Sequence, residues 1–182
     1  MIQFSRVYSN EPKEQTRLEV FKKNLAFIQN LNAKANQSYK LGVNRFTDRT
    51  NEEFLATRGG PTEGSKAEAA MQNKGFQYVQ RNNKRALLEA VSIQPVSVCI
   101  ARLADSFIHY SSGVYNASDC GITVTHAVTI VGYGRAMKGS SIDWLRTLGR
   151  DLGRGIHIRL RRDVEWPEGM CGLAQYGRYP VA

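Results

Sequence analysis

Nucleophilic catalysis by a thiol needs a cysteine beside a base that can take its proton. The chain carries three cysteines, Cys99, Cys120 and Cys171, and a histidine, His126, that opens the apolar run Ala127-Val128-Thr129-Ile130-Val131-Gly132-Tyr133-Gly134. A histidine in that position has the chemistry of a general base and acid, although a lone histidine on an apolar strand is more often structural. The cysteines show no C-x-x-C or other metal-ligand spacing, so neither a zinc site nor another metal or cofactor is expected. They are also too few for a small scaffold held together by disulfides. Cys99, inside Val96–Ile100, reads as a small buried hydrophobe.

The elements that must position these groups follow from periodicity. Leu18, Phe21, Leu25, Ile28 and Leu31 recur at steps of three and four, with Lys22, Lys23 and Gln29 off the stripe, so an amphipathic helix is expected between Glu14 and Leu31. The polar stretch Ala33 to Ser38 ends it, and Tyr39 to Val43 alternates like a short extended segment. Thr50-Asn51-Glu52-Glu53 has the capping-box pattern and should open a second helix. Gly59, Gly60, Pro61, Gly64 and Ser65 mark a linker. Beyond it, Asn83 to Val91 should be helical until Pro95 stops it, and Val96–Ile100, Gly113–Tyr115, Thr125–Gly134 and Ile156–Leu160 read as strands. A helical N-terminal piece is thus followed by a mainly β C-terminal piece.

The 182 residues suit one ordinary domain or two small ones, and 42% hydrophobic residues suffice for a core. A net charge of +9, of which +6 falls between residues 135 and 162, raises the question of a polyanionic partner. No DNA- or RNA-binding motif accompanies it, so nucleic acid is not expected as a partner. No apolar run is long enough to span a bilayer, so no membrane association is expected, and no signal peptide is visible at Met1–Ser5. Asn36-Gln37-Ser38 and Asn116-Ala117-Ser118 match the N-glycosylation acceptor pattern; without a signal peptide neither would be used.

The order and spacing of Arg17, Phe21, Asn24, Ile28 and Asn32 resemble the ERFNIN helix of papain-family propeptides, with Lys13 where the pattern has its first Glu. Gly42, Asn44, Phe46 and Asp48 resemble the G-x-N-x-F-x-D pattern that follows it. The run from Asn83 to Val98, the strand beginning at His126, and Gly169-Met170-Cys171-Gly172 with Tyr179-Pro180-Val181-Ala182 resemble the C-terminal half of plant papain-like cysteine proteases. The resemblance implies an α+β chain in which a helical propeptide domain precedes an incomplete β-rich half of a papain-like fold. Its parts would be an inhibitory propeptide at 1–57, a linker at 58–75 and a peptidase remnant at 76–182. It further implies that His126 occupies the general-base position, that Cys120 and Cys171 form a disulfide, and that the partner of the propeptide region is the active-site cleft of a related protease. Family members are exported to vacuole, lysosome or extracellular space.

Two parts of that pattern are absent. A papain-type histidine follows its nucleophile by about 130–150 residues, in a C-G-[SA]-C-[WY] context. Counting back from His126 passes Met1, and no such motif occurs elsewhere. In the family the missing stretch would join Thr57 to Gly75 and would hold the nucleophilic Cys and the Gln of the oxyanion hole. The Asn-Ser-Trp-Gly element that supplies the histidine's orienting Asn is replaced after Trp144 by Leu145-Arg146-Thr147-Leu148-Gly149. Codons for Lys-Asn-Ser-Trp-Gly read one nucleotide out of phase can give that sequence, so 141–157 is expected to be out of frame. Arg146, Arg150 and Arg154, much of the local charge, would then be products of the shift. The expectation is an inactive proenzyme-form chain, with an inhibitor of related proteases as the alternative. A β half without its partner half should also expose an apolar face, and a propeptide without its target surface should be marginally stable.

Overall fold

The computed structural model describes residues 10–56, 74–101, 104–136, 141–146 and 157–181. Helix α1 spans Glu11–Asn32. It starts earlier than its apolar stripe because the Asn10 side chain accepts the Lys13 N–H at 3.1 Å, Pro12 sits in the first turn where its missing N–H is not needed, and Glu11 and Glu14 face the positive end of the helix dipole. Strand β1 is Tyr39–Leu41 and helix α2 is Asn51–Ala56. The capping box forms as the sequence predicts: Thr50 Oγ1 accepts the Glu53 N–H at 3.2 Å, and the Glu53 carboxylate accepts the Thr50 N–H at 3.0 Å.

Residues 57–73, most of the expected linker, lie outside the described residues. Gly75, assigned to that linker, begins strand β2, Gly75–Val79. Helix α3, Lys84–Ile93, is capped by Asn83, whose side chain accepts the Ala86 N–H at 2.9 Å. Then come β3 (Val96–Ile100), the short α4 (Asp105–Ile108), β4 (Tyr110–Gly113), β5 (His126–Arg135), β6 (Ser141–Arg146), β7 (His157–Arg161) and β8 (Gly177–Val181). β1 pairs with β4, and the other six strands form one antiparallel sheet in the order β2-β8-β3-β5-β6-β7. The α+β class is as expected.

The sequence placed one strand wrongly. Gly113–Tyr115 was expected, but β4 ends at Gly113, which adopts φ +91°, and beyond it Tyr115 makes only an isolated bridge to Leu160. The glycine is required there. A Cβ would lie 2.4 Å from the Ser38 carbonyl oxygen, where β1 and β4 come together.

Val96, Val98 and Ile100 of β3, Val128 and Ile130 of β5, and Ile158 and Leu160 of β7 face one another in the core. Ile28 of α1 and Tyr39 and Leu41 of β1 belong to the same cluster. Tyr115, fully buried, stacks its ring against Tyr39 at 5.0 Å and Phe107 at 5.5 Å. The N-terminal elements therefore have a surface to fold against, contrary to the expectation that they lack one. This surface is built from α4 and β4, through the β1–β4 pairing and the bond from Asn44 to Ile108.

Candidate active site

His126 begins β5 and is half-buried. Its backbone is fixed by register opposite Ile100, and the Thr125 N–H donates to the Ile100 carbonyl at 2.9 Å. The next pair in the ladder is Cys99 with Ala127. Successive strand residues project to opposite faces, so Cys99 and His126 point away from each other across the sheet. Cys99 is consequently not the buried hydrophobe expected from sequence. It is half-buried on the outer face, while Val98 and Ile100 take the core. Cys120 and Cys171 are joined in a disulfide with Cα atoms 5.3 Å apart, the pairing the resemblance implied. Neither has a thiol to offer His126.

The outer face around Cys99 is open. Tyr78 is 75% exposed, Phe76 55% and Tyr176 48%. With Ala127, Gln175 and Arg178, Tyr78, Cys99 and Tyr176 border a cavity of about 450 Å³. Arg81 lies over the Tyr176 ring at 4.8 Å and Arg178 over Phe76 at 5.6 Å, so the guanidinium groups cover part of the aromatic surface.

The propeptide-like polar residues each meet hydrogen-bond partners suited to their side chains. Arg17 forms a two-pronged ion pair with Glu53, its Nη2 reaching Oε1 at 2.8 Å, and its Nη1 also donates to the Asp48 carbonyl at 3.2 Å. This guanidinium, followed by the Thr50 N–H, holds the Glu53 carboxyl below the usual carboxylate range. Asn24 Nδ2 donates to the Thr47 and Arg49 carbonyls at 2.9 and 3.0 Å. Asn32 forms a closed amide pair with Leu41, donating to its carbonyl and accepting its N–H, both at 2.9 Å. Phe21 is half-buried and Ile28 is buried on the same helix face.

The second motif carries the chain onto the β elements. Gly42 donates its N–H to the His109 carbonyl at 2.8 Å, and a Cβ there would come within 3.0 Å of Ser111 Cβ. Asn44 Nδ2 donates to the Ile108 carbonyl at 2.8 Å, while its Oδ1 accepts the Phe46 N–H at 2.9 Å. Phe46 packs edge-on against Phe54 at 4.8 Å, with Ile108 completing a small separate core. Asp48 is buried beside them.

Two features carry no local signal in the sequence. Ser106, fully buried, donates to Asp119 at 2.8 Å and shares a 2.7 Å hydrogen bond with the Tyr115 hydroxyl, which holds the segment leading to Cys120. Burial raises the Tyr115 hydroxyl's pKa. His109, 2% exposed, lies under the contact made by Gly42, and burial pushes its pKa down to about 4. No cluster of three or more His, Cys, Asp or Glu side chains suited to a metal exists among the described residues. No described helix is long and apolar enough to cross a membrane.

The family model for papain family cysteine proteases matches residues 20–181. The chain belongs to the papain family of cysteine proteases. It is 38% identical over 109 residues to macrodontain-1 of Ananas macrodontes, an alignment covering 59% of the chain and 48% of that relative. The chain thus spans about half the length of this curated relative. Against ananain of Ananas comosus it is 24% identical over an alignment 298 residues long, which takes in 100% of the chain and 86% of ananain. An alignment of that length exceeds the chain's 182 residues, so ananain has more than one hundred positions with no counterpart here. Among solved structures, a recombinant stem bromelain precursor superposes with a TM-score of 0.87 at 22% identity, covering 100% of the chain and 96% of the precursor. That likeness shows the fold, a papain-like proform.

Proposed function

We propose that the chain is a proenzyme-form papain-family protein whose nucleophile-bearing segment has been lost between Thr57 and Gly75, and that it is inactive as a peptidase. The observation that carries this reading is the placement of the thiols: Cys99 projects to the opposite sheet face from His126, and Cys120 and Cys171 are bonded to each other. On this reading His126 holds the general-base position with no cysteine thiol on its face of the sheet to deprotonate. The length excess of the ananain alignment supports an internal loss, because the propeptide pattern at 17–48 and the histidine strand at 126–134 are both retained in order. On this reading residues 1–57 are the propeptide unit, 58–75 the linker and 76–182 the peptidase remnant. The disulfide supports an oxidising, exported compartment.

The test is peptide hydrolysis by the purified full chain, with and without a thiol-alkylating reagent. No thiol-sensitive turnover is expected. Turnover that alkylation and His126→Ala both abolish would overturn the proposal.

A second reading, inhibition of a related protease in trans, is supported by the intact partner set of Arg17, Asn24, Asn32 and Asn44. Of these, only Asn44 bonds beyond the N-terminal elements, to Ile108 of α4, and β1 pairs with β4, so binding elsewhere must first displace these two elements, which lowers the apparent affinity. Micromolar full chain added to an active relative tests it; unchanged hydrolysis removes the reading.

A further inference from the structure

We infer that Asn36 is an N-glycan acceptor, and that it is preferred over Asn116, the other residue in an acceptor sequence. Asn36 lies in the turn between α1 and β1, is exposed, and adopts φ +63°, a conformation asparagine tolerates better than most residues. Its side-chain amide enters none of the hydrogen bonds described above, and a bulky substituent there projects from the fold without displacing a core residue. Ser38, which completes the acceptor sequence, donates through Oγ to the Val114 carbonyl at 2.6 Å. Val114 lies 76 residues further along, so that bond forms only after the β half has been made, and the hydroxyl is available while the nascent N-terminus is being modified.

Asn116 differs on each point. It is half-buried, follows the fully buried Tyr115, and precedes the 3-10 turn Ser118–Cys120 whose last residue is held in the disulfide. A glycan there has to leave a partly buried loop that the disulfide tethers.

The reaction needs a polyisoprenyl-diphosphate-linked oligosaccharide as donor and the host's membrane transferase. The bond between the sugar's anomeric carbon and the diphosphate oxygen breaks, and a bond from that carbon to Asn36 Nδ2 forms. Nδ2 gives up one proton, the polyisoprenyl diphosphate leaves, and no electrons are exchanged with an outside reagent.

The inference rests on the exported-compartment reading, and a supplied signal separates the two. The full chain is produced in a eukaryotic cell behind a cleavable secretion signal, so modification is read whether or not the chain carries its own address. Chain from the membrane fraction and from the medium is treated with a glycan-releasing amidase and mapped by peptide mass. The expected result is loss of one glycan's mass, with aspartate left at position 36. That shift should disappear in Asn36→Gln and persist in Asn116→Gln and in Ser38→Thr. Recovery of the 36-containing peptide wholly unmodified, or a shift lost only in Asn116→Gln, would overturn the inference. Mapping the unsubstituted chain gives the answer even if a variant fails to fold.

Discussion

Asn44 bridges two distant parts of the chain with one side chain: its Nδ2 donates to the Ile108 carbonyl at 2.8 Å, and its Oδ1 accepts the Phe46 N–H at 2.9 Å. The first bond ties the segment after β1 to α4; the second shapes the loop that places Phe46 in its pocket with Phe54 and Ile108. Replacing Asn44 with Ala leaves both backbone groups without their partner. We expect a loss of about 1–3 kcal/mol, read as a lower melting temperature of the full chain.

His109 predicts an acid limb in stability. Its pKa is about 4 in the fold against 6.5 when free, and its Nδ1 has no hydrogen-bond partner among the described residues. Between those values the unfolded chain binds a proton that the folded chain does not, so stability is complete above 6.5 and falls as pH drops toward 4. The whole effect is about 3 kcal/mol at most. Urea unfolding of the unsubstituted chain and His109→Phe across this range should differ in slope. Parallel curves would show that His109 does not contribute.

Gly113 permits the approach of β1 to β4. Gly113→Ala places a methyl group 2.4 Å from the Ser38 oxygen in a backbone conformation with φ +91°. A loss of about 2 kcal/mol or more is expected, with faster amide exchange at Val114, whose N–H donates to Ser38.

The disulfide closes a loop with a sequence separation of 51 residues. Constraint of the unfolded chain alone predicts about 4 kcal/mol of stabilisation. Cys120→Ala with Cys171→Ala should lower the urea midpoint accordingly, and an unchanged midpoint would exclude this contribution.

The N-terminal motifs were legible because each requires particular hydrogen-bonding side chains at helix or loop spacings. α1, the α2 capping box, and strands β3 and β5 followed from local pattern and capping chemistry. Strands β2, β6 and β8 were not legible. Gly75–Val79 follows a linker-like composition and acquires its pairing from Gly177–Val181, about a hundred residues away, while Ser141–Arg146 is fixed by β5 and β7. The face of Cys99 was available in the sequence, since Val96, Val98 and Ile100 alternate with Ser97 and Cys99, yet apolar neighbours on both sides made it look buried. The strand that His126 opens was legible, but its separation from the thiols was not, because that depends on strand register and on the disulfide.

The shared cluster of Ile28, Tyr39 and Leu41 with the strands of the β half has a consequence for processing. A propeptide that serves as a brake can be clipped off and discarded once its work is done. Here the same helix and strand share a buried cluster with the strands β3, β5 and β7. Cleavage after α2 followed by release of the N-terminal fragment would uncover part of that cluster and leave apolar strand residues facing water.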